Sequence, residues 1–108
     1  MENIQIVNCV ALEKLKQLIT DKKQEVKIID VRAREEFDQQ HIPGAINISI
    51  SELELVNKLF DKADIIITAC GKGGGRSTQA AEKLNEMGFK NSNWLCGGTF
   101  GWYEKPIQ

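Results

Sequence analysis

The chain has 108 residues, of which 42% are hydrophobic and 27% charged, with a formal net charge of −1. That is the size of one globular domain with one core, and we read residues 1–108 as a single domain. The near-zero charge gives no electrostatic case for nucleic acid or for an anionic membrane, and no apolar run is long enough to span a bilayer.

The start, MENIQIVNCVALEKL, has no basic segment followed by an apolar stretch, so no secretory signal is expected. Cys9, Cys70 and Cys96 are odd in number, widely spaced and form no CxxC pair; His41 is the only histidine. No zinc ligand set follows, and three free thiols in a reducing compartment, the cytoplasm, are the expectation.

In chain order, Ile4, Ile6 and Val10 flank a short β-like start. Leu12, Leu15, Leu18 and Ile19 then recur at helical spacing. Val26 to Val31 is a β-branched run suited to a strand buried on both faces. A short helix is expected over 33–37, a turn at His41-Ile42-Pro43-Gly44, and a strand over 45–48. Ser51 is the expected cap of a helix carrying Leu53, Leu55, Val56 and Leu59. A strand over 64–69 precedes a glycine loop. A helix follows, with Ala80, Ala81, Leu84 and Met87 on one stripe and Gly88 as its C′ residue. A short strand at 93–95 and a last helix with Phe100 and Trp102 complete the pattern. Strands alternate with helices throughout, which predicts an α/β fold with a parallel sheet covered on both faces.

The segment Cys70-Gly71-Lys72-Gly73-Gly74-Gly75-Arg76-Ser77 holds the chemistry. Function in a parallel α/β sheet gathers at the carboxyl ends of strands. Cys70 falls at such an end, just before a helix whose free N–H groups and positive dipole end favour a thiolate. Gly71, Gly73, Gly74 and Gly75 let the backbone curl so that consecutive N–H groups aim at one point. Lys72 and Arg76 add full charge, Arg76 with a planar fork suited to an oxyanion. Ser77 either caps the helix or donates to a bound anion. Nucleotide loops do not fit: no Gly-Lys pair stands directly before Ser77, and G-x-G-x-x-G counted from Gly71 ends on Arg76.

Three ordered motifs resemble the rhodanese family of sulfurtransferases over most of the chain. The first is Ile28-Ile29-Asp30-Val31-Arg32, then Glu36-Phe37, then His41 to Ile48. The second is Cys70 to Ser77 with Ala80-Ala81 and Gly88-Phe89; the third is Leu95, Gly97-Gly98 and Trp102. The resemblance implies a three-layer α/β/α domain with a central five-stranded parallel sheet. It implies Cys70 as catalytic nucleophile, cycling through a persulfide, with Gly71, Lys72, Gly73, Gly74, Gly75, Arg76 and Ser77 binding substrate. The implied donor is a small anion such as thiosulfate, and the acceptor a thiol, cyanide or a partner protein. No metal and no organic cofactor is implied.

The loop departs from the common sulfurtransferase form by holding five residues, not four, between Cys70 and Arg76. That C-x5-R spacing is similar to cysteine-dependent phosphatases and arsenate reductases, although Ala69 stands where the phosphatases carry histidine. A non-catalytic, sulfur-carrying or interaction module is the third alternative. Outside the loop, His41 reads as structural, Asp30 and Arg32 as braces between loops, and Cys9 as incidental. Cys96 reads as buried filler, or less simply as a resolving partner of Cys70. Trp94, Phe100 and Trp102 read as core or rim packing.

Overall fold

The computed structural model describes residues 7–21, 25–72 and 74–104. Five strands form one sheet: β1 (Cys9–Val10), β2 (Val26–Asp30), β3 (Ile46–Asn47), β4 (Ile65–Ala69) and β5 (Ser92–Leu95). Their spatial order is β1-β5-β4-β2-β3, and every pairing is parallel. The connecting helices are α1 (Leu12–Thr20), α2 (Arg34–Gln39), α3 (Val56–Leu59), α4 (Gly75–Glu86) and α5 (Gly98–Tyr103). A 3-10 segment, Ile50–Leu55, leads into α3.

Alternation along the central strands explains the layers. Successive side chains of a strand point to opposite faces. Ile29 and Ile66 therefore pack with Leu53, Val56, Ala80, Leu84 and Phe89 on one side of the sheet. Ile28 and Ile67 pack with Leu15, Ile42, Ala45 and Leu95 on the other. Both faces of β2 and β4 are buried, which is why their sequences are nearly continuous apolar runs. In the register, Asp30 of β2 lies opposite Ala69 of β4, so the two strands end level and place Arg32 and Cys70 at one edge.

Helix α4 lies against the sheet through Ala80 and Ala81, both fully buried. It ends as its sequence predicts. Gly88, with φ +105°, donates its N–H to the Asn85 carbonyl at 3.0 Å, and Phe89 donates to the Leu84 carbonyl at 2.9 Å. This paired closure needs a positive φ at its glycine.

Three expectations change. Ser51 lies inside the 3-10 segment and caps nothing; the residue before that segment is Ser49, whose carbonyl accepts the Glu52 N–H at 2.9 Å. The expected 45–48 strand shortens to Ile46–Asn47, since it is an edge strand paired only with β2. The third change concerns the thiols. Cys9 and Cys96 are disulfide-bonded, with Cα atoms 5.0 Å apart, and Cys70 is the free cysteine. Strand β1 pairs with β5, which sets Val10 beside Leu95 and brings both sulfurs together at adjoining strand positions. Cys9 is therefore not incidental, and Cys96 is neither simple filler nor a partner of Cys70 here. Ile4 and Ile6, expected near the first strand, lie outside the described residues.

Candidate active site

Cys70 follows the last residue of β4 and is only 4% exposed. The loop it opens is anchored by α5. The N–H groups of Thr99 and Phe100, in the first turn of α5, donate to the carbonyls of Cys70 at 2.7 Å and Gly71 at 2.9 Å. Helix starts leave such donors unpaired, and here the loop carbonyls satisfy them. The Phe100 ring crosses Gly71 so closely that a β-carbon there would sit 3.1 Å from its Cε2. A side chain at residue 71 would have to displace that ring.

The loop leaves through Gly74, with φ +82° and ψ −147°, a region that residues with side chains avoid. The Gly74 carbonyl accepts the N–H groups of Ser77 at 2.9 Å and Thr78 at 3.1 Å, and the Ser77 hydroxyl at 2.9 Å. Ser77 is the third residue of α4 and is fully buried. Its carbonyl in turn accepts the Thr68 hydroxyl at 2.7 Å, which ties the start of α4 to β4. Lys72 is exposed, and Gly73 lies outside the described residues.

Among the described residues the sulfur of Cys70 has two polar neighbours, the Ser77 hydroxyl oxygen at 3.4 Å and the Gly74 carbonyl at 3.6 Å. Among the described residues no backbone N–H is bonded to it. The expected ring of amides thus has a carbonyl in it, because Gly74 points its oxygen at the first turn of α4. The Cys70 thiol donates to that carbonyl.

Arg76 extends from the second residue of α4 toward α2. Its Nη1 donates to Glu36 Oε1 at 3.1 Å, and both side chains are roughly half exposed. The same oxygen accepts the Ala33 N–H at 3.2 Å, bonding the start of α2. The Arg76 guanidinium holds the Glu36 carboxyl below the usual carboxylate range. Glu36 is therefore ionised at neutral pH and is poorly suited to protonate a leaving group there.

Asp30 and Arg32 form the rigid side of the site. Arg32 donates from Nε and Nη2 to the Asp30 carboxylate, at 2.9 and 2.7 Å, with both side chains almost fully buried. The Asp30 carboxylate raises the Arg32 pKa further. Arg32 also donates to the Gln40 carbonyl, and the Thr99 hydroxyl donates to Asp30 Oδ2 at 3.4 Å. Asn47 bonds the carbonyls of Asp30 and Arg32. These contacts join β2, β3, the end of α2 and the start of α5, matching the bracing role expected for the pair. His41 has its Nδ1 2.8 Å from the Phe37 carbonyl and stacks on the Phe37 ring, which joins its turn to α2.

The structure thus brings Cys70, Ser77 and the backbone of Gly71 and Gly74 together and sets Arg76 at the rim, against Glu36. Sequence reading missed the part of Glu36, since nothing in the chain pairs residues 40 positions apart, and it missed the Phe100–Gly71 contact. Among the described residues no group of three or more His, Cys, Asp and Glu side chains is disposed to hold a metal ion.

Comparison with known proteins adds the following. A family model described as "Rhodanese-like domain" matches residues 11–105. YrkF of Bacillus subtilis (strain 168) is 33% identical over 104 residues, covering 96% of this chain; the chain spans about half of that relative, 55% of its length. Thiosulfate sulfurtransferase GlpE of Coxiella burnetii is 32% identical over 81 residues, 75% of each chain. The structure of the human single-domain sulfurtransferase TSTD1 superposes with a TM-score of 0.74 at 27% identity, covering 92% of this chain and 97% of that one.

Proposed function

This chain belongs to the rhodanese family, and we propose that it transfers sulfane sulfur through a persulfide formed on Cys70. The observation that supports this best is the placement of Cys70: a free thiol at the carboxyl end of β4, at the mouth of α4, with the other two cysteines bound to each other. Such a thiol has no internal partner to close on, so a sulfur received there must leave to an outside acceptor.

With thiosulfate as donor, the Cys70 thiolate attacks the outer sulfur. The S–S bond of thiosulfate breaks, sulfite leaves with the electron pair, and Cys70 holds a persulfide anion. Cyanide or a thiolate then attacks the terminal sulfur, and the Cys70 thiolate returns. Arg76 and Lys72 attract the anionic donor to the rim. Ser77, 3.4 Å from the sulfur, orients it, and N–H groups of the loop stabilise the anion. No step calls for a metal or an organic cofactor. Relatives named as thiosulfate sulfurtransferases, and YrkF, named for sulfur carriage, support both a small-molecule and a protein acceptor.

The test is formation of thiocyanate from thiosulfate and cyanide, which we expect from the native protein and not from Cys70→Ser. The C-x5-R spacing favours a second reading, nucleophilic chemistry on a phosphate or arsenate oxyanion. It requires turnover of an aryl phosphate dependent on Cys70 and Arg76, and the ionised Glu36 leaves that site without an evident acid. A protein that does neither is a non-catalytic carrier or interaction module. As to compartment, the cytoplasmic expectation rests on unpaired thiols. The Cys9–Cys96 bond withdraws that ground and is typical of an oxidising setting.

A further inference from the structure

The loop length and the charge around it point in opposite directions. A five-residue spacer gives Arg76 room to grip a tetrahedral dianion, yet Arg76 is already bonded to a carboxylate. Glu36 is held there from two sides. It is the third residue of α2, its Oε1 accepts the Ala33 N–H that starts the helix, and the same oxygen accepts Arg76. Because α2 begins just after Arg32, which is locked to Asp30, Glu36 has a fixed base from which to reach the rim. Of the two cations the loop supplies, Lys72 and Arg76, one is thus neutralised before any ligand arrives. An incoming anion must share Arg76 with Glu36 and bear repulsion from it, and that repulsion is twice as great for a dianion as for a monoanion.

We propose that Glu36 is a specificity-determining residue that sets the charge of the donor: it turns the site against tetrahedral dianions and toward sulfane-sulfur donors carrying a single negative charge. This deepens the sulfur-transfer reading and rests on it. The balance of the step is unchanged. With a thiosulfonate monoanion the Cys70 thiolate takes the terminal sulfur, the S–S bond breaks, and a sulfinate leaves with the electron pair.

The probes are thiosulfate and benzenethiosulfonate, which differ by one charge at the same kind of sulfur. In the native protein we expect a higher kcat/KM for the monoanion relative to thiosulfate than in Glu36→Gln. The ratio should fall about two- to fivefold in that variant, the range of an exposed ion pair. Most of the change should lie in KM for thiosulfate, and it should shrink at high salt. Glutamine keeps an oxygen for Ala33, so α2 retains its start; Glu36→Asp, which keeps the charge, should stay closer to the native ratio. An independent arm measures inorganic phosphate binding to the Cys70→Ser protein with and without Glu36→Gln, where the variant should bind about two- to fivefold more tightly. A donor ratio unmoved by Glu36→Gln overturns the proposal. If neither donor loads Cys70 in the native protein, the sulfur-transfer reading fails instead. The phosphate arm then decides on Glu36, and unchanged affinity overturns its role.

Discussion

Gly74 and Gly75 are neighbours with opposite requirements. Gly74 holds φ +82° and ψ −147°, and a β-carbon there would meet nothing within 4 Å, so the whole cost of a side chain is backbone strain. Gly75 starts α4 with ordinary dihedrals and equally open space. Gly74→Ala should destabilise the protein by about 1–3 kcal/mol. Gly75→Ala should be neutral or stabilising by up to about 1 kcal/mol. Urea unfolding of the two variants checks this, and equal losses would contradict the role assigned to Gly74. In the sequence the four loop glycines look interchangeable. Their division of labour depends on which peptide turns toward α4, and that is decided by hydrogen bonds rather than by residue type.

Among the elements, β2 and its continuation set the geometry of the rim. The Asp30–Arg32 pair is almost fully buried, so each charge depends on the other. Removing one partner of such a pair costs about 3–5 kcal/mol, because the survivor stays buried and unpaired. Asp30→Ala should show that loss in chemical denaturation. The double variant Asp30→Ala/Arg32→Met should recover much of it, since it leaves no orphaned charge. Equal stabilities of the single and double variants would mean that Arg32 escapes to solvent. Most of this framework was legible in advance. The β-branched runs announced β2 and β4, the Ala80-Ala81 stripe announced α4, and Gly88 marked its end. Asp30 and Arg32, at a strand end, were read as braces from the family likeness and their tight spacing. Less legible was the helix after β3: two serines two residues apart, Ser49 and Ser51, offer the same side chain, and only the extended backbone at Ser49 selects it. The partner of Arg76 was not legible at all, since the Glu36 contact exists only after α2 and α4 are packed.

For the whole molecule, the Cys9–Cys96 bond closes nearly the entire chain, with a sequence separation of 87. A loop of that length is worth about 4–5 kcal/mol by chain entropy. Reduction, or the Cys9→Ser/Cys96→Ser variant, should lower the thermal midpoint by about 20 °C. The unfolded, unreduced protein should show a single reactive thiol. Three reactive thiols, or a midpoint indifferent to reductant, would contradict the pairing. The same bond clamps β5 just before Gly97-Gly98 and α5, whose first turn holds the carbonyls of Cys70 and Gly71. Sequence reading left these cysteines unpaired because spacing alone does not reveal that the first and last strands are neighbours.

The proposed chemistry depends on one thiol, Cys70, taking up one sulfur atom. The most direct measurement is the mass of the intact protein after thiosulfate treatment, followed by mapping of the modified peptide. We expect a gain equal to one sulfur atom, located on Cys70, released by cyanide and absent from Cys70→Ser. A protein whose mass does not change, or one that carries the added sulfur on Cys9 or Cys96, would contradict it.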